Sequence, residues 1–456
     1  MAVNSQHPDY VKMCKRWDLV RSIVANSAKH LLRVVDPNDM NRSGQYRDDA
    51  ILTNFTRLTK EGLTGLVFRK DSKKEIPVEL DYLIDDSTGY KFSLDQLAQK
   101  IVGETLETGR YGLLVDYPQA NLGETEKVAR IRPYASESII NWKYVDVGNR
   151  YKLSLLVLKE EVDQLGEDGF EWVQTCQYRV LFLNSEGQYS QVLYNDQLES
   201  VASTLVVPTD YNGNPLTEIP FTFIGSENND AWVDNIPLYD MSVVNLGHYK
   251  GSADLMETMF MCGQVVPVVN TGEVGEEQWH QANPNGILIG SRAPIVVGLG
   301  GSFDFKQAQP NTLPQQVMND LEKQAAAIGA RLISPAGGRE TAEAARIRYG
   351  SQNSVLYTIT RNISNGIEQS LYYVSLFMME TPVESEYELN DQFYEENADP
   401  NLIAQQIMLL DRGLMSGEEL RTNLKRTGIK LNEEFNVLVD PMQGVDENLP
   451  PDEAFD

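Results

Sequence analysis

Residues Asn235 to Met261 read NIPLYDMSVVNLGHYKGSADLMETMFM, and within them Tyr239, Ser242, Leu246, Tyr249, Ala253, Met256 and Phe260 recur at alternating steps of three and four. That spacing puts all seven on one stripe of an α-helix, with Pro237 suited to its first turn and Lys250 and Asp254 on another face. A second helix opens at Thr312, with Pro314 in its first turn and Gln315 at the capping-box position; its seam is Val317, Leu321, Ala325, Ile328 and Leu332. Between the two, QVVPVVN, GILIG and APIVVGLGG have the Gly, Pro and Val texture of short strands and loops. Two helices thus bracket a β-rich excursion.

Upstream of this core, helical spacing predicts one helix from Asp9 to about Val35 and another from Tyr46 to Phe68, the latter carrying Ile51, Phe55, Leu58 and Leu66. A third begins at the Ser93/Gln96 capping box, carries Leu97 and Ile101, and leads into the strand-like Tyr111–Tyr117. From Ile131 to Ile224 the runs LSLLVL, EWVQTCQYRVLFL, GQYSQVLY, LVVP and IPFTFIG, separated by Gly, Asn, Asp and Pro, read as antiparallel strands. The fold class expected is α+β.

Downstream, Ser334, Pro335, Gly337, Gly338 and Arg339 interrupt the helical pattern, which implies a flexible break. Helical spacing resumes over Thr341–Met379 through Val355, Ile359, Ile363, Ile367, Leu371, Val374 and Met378, with Gly350 and Gly366 as candidate bends. YELNDQFY reads as a short strand. A helical hairpin follows, begun by Asp399 and Pro400, turned at Gly413, recapped by Ser416 and Glu419, and stopped near Gly428. The acidic, Pro-containing end of the sequence is expected to be disordered.

Composition limits the chemistry. The formal charge is −27, from 39 basic and 66 acidic residues, a balance that keeps a protein soluble and disfavours tight binding to phosphate or anionic lipid. No run approaches the roughly 18 apolar residues of a membrane span, and the opening MAVNSQHPDYVKMCKRW lacks the apolar core of a secretory signal, so cytoplasmic synthesis is expected. Cys14, Cys176 and Cys262 are widely spaced, without CxxC, and read as free thiols. No GxxxxGK[ST] occurs, and Gly298, Gly300 and Gly301 read as a turn. His7, His30, His248 and His280 are scattered without HExxH; His248 reads as a hydrogen-bonded or interface histidine. The neighbouring acids Asp85–Asp86, Glu160–Glu161 and Glu395–Glu396 read as solvated faces. The aromatic residues read as core and interface packing, since a stacking surface for single strands needs a basic groove. No catalytic, cofactor or metal site is expected.

The order of elements, together with LTGLVFRKD (Leu63–Asp71), LETGRYGLLVDYP (Leu106–Pro118), RPYASESIINW (Arg132–Trp142), NLGHYKGSADL (Asn245–Leu255) and ETAEAARIR (Glu340–Arg348), resembles the portal proteins of tailed bacteriophages, the head-to-tail connector rings. The resemblance implies a mixed α/β wing over 1–234, a stem helix over 235–261, a clip over 262–311, a returning stem helix over 312–332 and a tunnel loop over 333–340. A long helix and return to the wing would cover 341–398, a helical crown hairpin 399–430, and the acidic tail 431–456. It implies a homo-oligomeric ring, usually a dodecamer, at the portal vertex of the virion, assembled in the host cytoplasm. Double-stranded DNA would pass through it without sequence-specific binding, and no membrane would be involved. Terminase large subunit, major capsid protein and a head-tail adaptor are the implied partners, with no cofactor and no enzymatic step in this chain. The stem seam would be Leu246, Tyr249, Ala253, Met256, Phe260, Val317, Leu321 and Ile328. The tunnel-loop candidates would be Ser334, Pro335, Gly337, Gly338 and Arg339, with Arg339 near passing phosphates. Two other readings stay open: another structural subunit of a phage particle, such as a connector or minor capsid protein, and a metal-dependent hydrolase or nuclease among the acids.

Overall fold

In the computed structural model, which describes residues 2–118, 128–165, 169–201, 204–286, 297–309, 311–333, 355–391, 393 and 400–426, the N-terminal helices are more numerous and shorter than apolar spacing predicts. In place of helices over Asp9–Val35 and Tyr46–Phe68 stand α1 (Pro8–Val24), a 3-10 turn at Ala28–Leu31, α2 (Met40–Asp49) and α3 (Phe55–Val67). Side-chain caps make the cuts: Asp39 accepts the Arg42 N–H and Asn54 the Arg57 N–H. The Asn54 amide also donates to the Ile23 carbonyl at 2.6 Å, tying the start of α3 to the end of α1. Ile51 and Leu58, placed on the expected seam, are exposed.

After β1 (Lys73–Glu75) and α4 (Tyr82–Asp85), helix α5 (Leu94–Thr108) starts on Ser93, with both bonds of the capping box to Gln96 formed. It ends at Gly109, whose φ of 71° is the left-handed stop that glycine takes most readily. Six strands follow: β2 (Arg110–Asp116), β3 (Arg130–Ala135), β4 (Ile139–Asp146), β5 (Tyr151–Leu165), β6 (Trp172–Leu183) and β7 (Tyr189–Tyr194), with β8 (Phe221–Gly225) closing the region. They build two antiparallel sheets, ordered β3-β2-β8 and β4-β5-β6-β7. The long α6 (Tyr239–Gly263), β9 (Val265–Asn270), α7 (Glu276–Ala282), β10 (Ser302–Gln307), α8 (Leu313–Ile333) and α9 (Val355–Met378) come next, and then β11 (Glu386–Glu388), which pairs with β1. The class is α+β with antiparallel sheets.

These elements make one compact unit, Met1–Asp391; a second, Gln392–Asp456, contains α10 (Pro400–Asp411) and α11 (Gly417–Arg426). Of the punctuation of that helical hairpin, the turn and the second cap are as read: Gly413 has φ 69°, and Ser416 and Glu419 exchange side-chain-to-backbone bonds, while Asp399 and Gly428 lie outside the described residues. Ser334, Pro335, Gly337, Gly338 and Arg339, with the rest of 334–354, lie outside the described residues, as do 287–296, 394–399 and 427–456. One element in the expected strand-and-loop region 262–311 differs. Residues 276–282 form helix α7, where Glu276 and Glu277 favour the first turn and one large apolar side chain, the buried Trp279, is too little to give a periodic signal.

The centre of the first unit is α9. Leu356, Ile359, Ile363, Ile367, Leu371 and Val374 are buried on the sheet formed by β2, β3 and β8, and against α5. Gly366, a candidate bend in the sequence, is where α9 presses on β8: a Cβ there would stand 2.6 Å from Ile224 Cγ1. Alanine normally stabilises a helix interior over glycine by about 1 kcal/mol. Here the clash should reverse the sign, so Gly366→Ala should destabilise by roughly 1–3 kcal/mol, and Ile224→Ala in the same chain should relieve much of that increment. Denaturant unfolding of the two single variants and the double variant measures the coupling; additive effects would refute the contact.

A second buried assembly joins α1 to both sheets. His7 stacks on Trp142 with ring centroids 3.9 Å apart, and the Arg110 guanidinium lies 4.0 Å from the Trp142 centroid and 4.5 Å from that of Phe223. Arg110 is 1% exposed, and burial pulls it down to about 9, still charged at neutral pH. The His7 imidazole is lowered by burial, with Asp9 opposing and Arg110 and Lys12 adding to the shift. Its Nδ1 accepts the Asp9 N–H at the start of α1, a role only the unprotonated nitrogen can play. Because the folded pKa lies below 6.5, this histidine's contribution to stability is present above pH 6.5 and is lost as pH falls through the folded value. Asparagine keeps a capping acceptor without titrating. Unfolding midpoints at pH 8 and 5.5 should therefore show wild type losing more stability than His7→Asn; equal losses would remove His7 from the account.

Candidate assembly surface on the helix pair

Helix α6 has two different faces for two different neighbours, and the seam predicted from spacing is one of them. Tyr249 and Ala253 are buried in a cluster with Ile23, Ala28, Leu32 and Tyr46, and Leu246 packs against it. The first part of the expected stem seam therefore lies against the chain's own N-terminal helices. Met256 is half-buried and Phe260 is 58% exposed, so this cover does not extend to the end of the helix. Polar bonds continue it part of the way. Asp254 accepts from Tyr46 and from Arg33, each at 2.7 Å, and Glu257 accepts from Arg42 at 2.5 Å. Burial, then the bond to Asp254, raises the Tyr46 phenol.

The face turned toward α8 was not legible as an apolar seam, because it is made of glycine. A Cβ on Gly247 would stand 3.4 Å from Leu321 Cδ1, and one on Gly251 would stand 2.9 Å from Met318 Cγ. Two glycines four residues apart lie on one face and let a second helix approach closely. The pairing Gly247 with Leu321, Gly251 with Met318 and Met241 with Gly329 shows that the helices run antiparallel. His248 sits between them as the bonded histidine expected: it is buried, its Nε2 is 3.3 Å from Glu322 Oε1, and its ring meets Phe55 edge-on at 5.0 Å. The sequence signal that could have exposed this face is the Gly-x-x-x-Gly spacing inside GHYKG.

Large apolar side chains on the pair remain uncovered. Val317 is 46% exposed, Leu313 60%, Met259 60% and Met261 47%. Leu321 and Ile328 are half-buried. Beyond the helix ends β9 and β10 pair antiparallel from Val265↔Gln307 to Asn270↔Ser302, and Val266 and Phe305 are also more than half exposed. The glycines read as a turn form one: Gly301 N–H donates to the Gly298 carbonyl, and Gly300 has φ 74°.

Of the acids read as solvated faces, Asp85 and Glu161 are exposed, but Glu160 is not solvated, because the sheet holds it against a cation, and Asp86 is half-buried. Glu160 pairs with Arg179 at 2.7 Å and accepts from Tyr134, and Asp86 bonds Arg130 and the Gly89 and Lys91 N–H groups. Glu395 and Glu396 lie outside the described residues. Among the described residues no three His, Cys, Asp or Glu side chains come together as a metal site, and no helix is long and apolar enough to cross a membrane.

Residues 237–378, which include the helix pair and α9, match the model of a domain of unknown function, DUF4055. No curated protein matches the chain. Among solved structures, a chain of the virion of a native gene transfer agent (GTA) particle is 12% identical, with a TM-score of 0.40, covering 84% of this chain and 92% of that one. A chain from the neck of the empty GTA particle computed with C6 symmetry is 13% identical, with a TM-score of 0.41 and coverages of 81% and 89%. One from the neck of the native particle computed with C12 symmetry is 14% identical, with a TM-score of 0.40 and the same coverages. Likenesses at this level carry no argument for fold or function.

The glycine face makes its own prediction. Gly251→Val should push α8 from α6 and cost roughly 1–3 kcal/mol, as overpacking does, while Lys250→Val, on an exposed position of the same helix, should change stability little. Thermal unfolding of both variants tests it; equal midpoints would mean that the close approach is not stabilising.

Proposed function

We propose that this chain is one subunit of a portal-type ring, a channel at one capsid vertex through which double-stranded DNA enters and leaves a phage-like particle. The observation that carries the reading is the antiparallel α6–α8 pair. It is cemented internally at Gly247 and Gly251, covered along part of α6 by the N-terminal helices, and left with Met259, Phe260, Leu313 and Val317 exposed. Exposed apolar side chains of this size on two helices favour burial against another protein surface. A ring satisfies that need with one repeating interface between two different faces.

The charge supports the same reading. A strongly basic channel would grip DNA by counterion release, whereas a chain at −27 leaves the polymer free to slide. On this reading 235–261 and 312–332 are the stem, 262–311 the clip that meets a head-tail adaptor, 333–340 the loop nearest the DNA, and 399–430 the crown. Terminase supplies the motor, and the major capsid protein surrounds the ring.

End-view electron microscopy and native mass measurement of the purified full chain should show a closed ring, with twelve subunits the expected count. Replacing Met259 and Phe260 with serine should weaken the ring while leaving the subunit folded. A strictly monomeric protein at high concentration and moderate salt would refute the assignment, and closed rings located elsewhere than the capsid vertex would identify a different particle subunit.

A further inference from the structure

The β5–β6 hairpin is longer than the sheet that holds it. β4 pairs with β5 only as far as Leu158, and β7 pairs with β6 only from Tyr178 inward. From Glu160↔Gln177 to Leu165↔Trp172 the hairpin is a two-stranded ribbon that runs past both neighbouring strands. Its length beyond Lys159 is about 20 Å. A two-stranded ribbon is marginal in water by itself. Its far end carries Leu165, 53% exposed, directly across from Trp172, 66% exposed. Since alternate residues share a face, Asp163 and Glu161 follow on the same side, two and four residues back. One face of the arm thus presents an apolar tip and then an acidic stem.

The complementary shape occurs elsewhere on the subunit. A cleft of about 360 Å³ between the start of α1 and the 232–235 segment is lined by Met13, Trp232 and Val233, with Arg16 and Lys12 among its walls; Lys12 is bonded to Asp9 at 2.8 Å, and Asp234 accepts the Glu227 and Asn228 N–H groups. Trp232 is 64% exposed and Lys12 73%. The N-terminal segment that supplies the α1 wall is opposite in charge to the rest of the protein: residues 1–74 hold 14 Lys and Arg against 8 Asp and Glu, a net +6, in a chain of −27. The cleft sits beside the root of the ribbon, since Ile139 pairs with Leu158 and the next carbonyl, Ile140, accepts the His7 N–H. A ribbon of about 20 Å extends its tip away from that root, which favours a cleft on another copy over the chain's own.

We infer that the β5–β6 tip docks into the α1–Trp232 cleft of a second copy of this chain. Trp172 and Leu165 fill the Met13, Trp232 and Val233 floor, and Asp163 faces Lys12 and Arg16. The contact joins two different surfaces head to tail, the type of interface that closes a ring, and an aromatic anchor in a pocket with a polar rim is the arrangement that concentrates binding energy. This inference rests on the ring reading above and adds a second contact to it, separate from the helix pair.

The test uses the full-length protein with a benzophenone amino acid in place of Trp172, assembled from mixed light and isotopically heavy subunits and then irradiated. The expected adducts join the ribbon tip to peptides containing Lys12–Arg16 or Trp232 in subunits of the other label. Separately, Lys12→Glu with Arg16→Glu should raise the concentration at which assemblies dissociate about tenfold or more, and Asp163→Lys in that background should recover part of the loss while the charge reversals leave thermal unfolding of the subunit unchanged. Wild-type protein that forms no ring overturns both readings. Rings whose adducts fall on other surfaces, on the same chain or on another particle protein overturn the docking alone.

Discussion

The burial of α9 on the β3-β2-β8 sheet is the constraint around which the larger unit is arranged. Ile359, Ile363, Ile367, Leu371 and Val374 are fully buried, and the helix reaches this depth because Gly366 offers no side chain where Ile224 stands. Once α9 is fixed there, the chain after it returns to the N-terminal region, and β11 pairs with β1 while Tyr387 donates its hydroxyl to Asp95 at 2.9 Å. Residues more than 290 positions apart thereby close one unit. Bringing such distant segments together is entropically expensive, and the continuous apolar face of α9 is the largest offset visible.

Charge inside this acidic protein is arranged in closed groups. Arg21 on α1 reaches Glu104 and Glu107 on α5 and Glu137 in the 3-10 turn before β4, while Lys60 on α3 also bonds Glu107. Burial alone would lower the Arg21 guanidinium, but its bonds to Glu137 and Glu104 outweigh that and raise it. Arg179 and Glu160 form a similar pair inside the four-stranded sheet. Such groups add little net stability over apolar replacements, but removing one member leaves a buried charge alone. They therefore fix which helix lies beside which more than they add to the total. Arg110 is the exception: its Nε and Nη2 have no hydrogen-bond partner among the described residues, and two aromatic faces take the place of a carboxylate.

Helix α6 shows how one element serves both folding and assembly. Its tyrosine and alanine face is consumed by the N-terminal helices and its glycine face by α8, so only the remainder is available to a partner. Asp240 and Lys250 make an ordinary solvent face earlier in the helix, but its exposed end bears Met259, Phe260 and Met261. The division of labour is set by residue size: small residues where backbones approach, large ones where another surface is needed.

The sequence by itself determined the element types wherever a periodic stripe or a complete cap was present. The Ser93 and Ser416 capping boxes, the left-handed Gly413, the antiparallel strands and the long α6, α8 and α9 are local features, encoded within a few turns of chain. What only the tertiary structure decided is which stripe meets which partner. Leu246, Tyr249 and Ala253 read as a stem seam, yet their partners are Ile23 and Tyr46, some 200 residues earlier, because an apolar stripe specifies burial and not the surface that supplies it. Gly247, Gly251 and Gly366 were invisible to a search for apolar periodicity, since their contribution is the absence of a side chain at a point of close approach. The break at Asn54 escaped for a similar reason: its amide bonds Ile23 of another helix, a contact that exists only once the two helices are brought together.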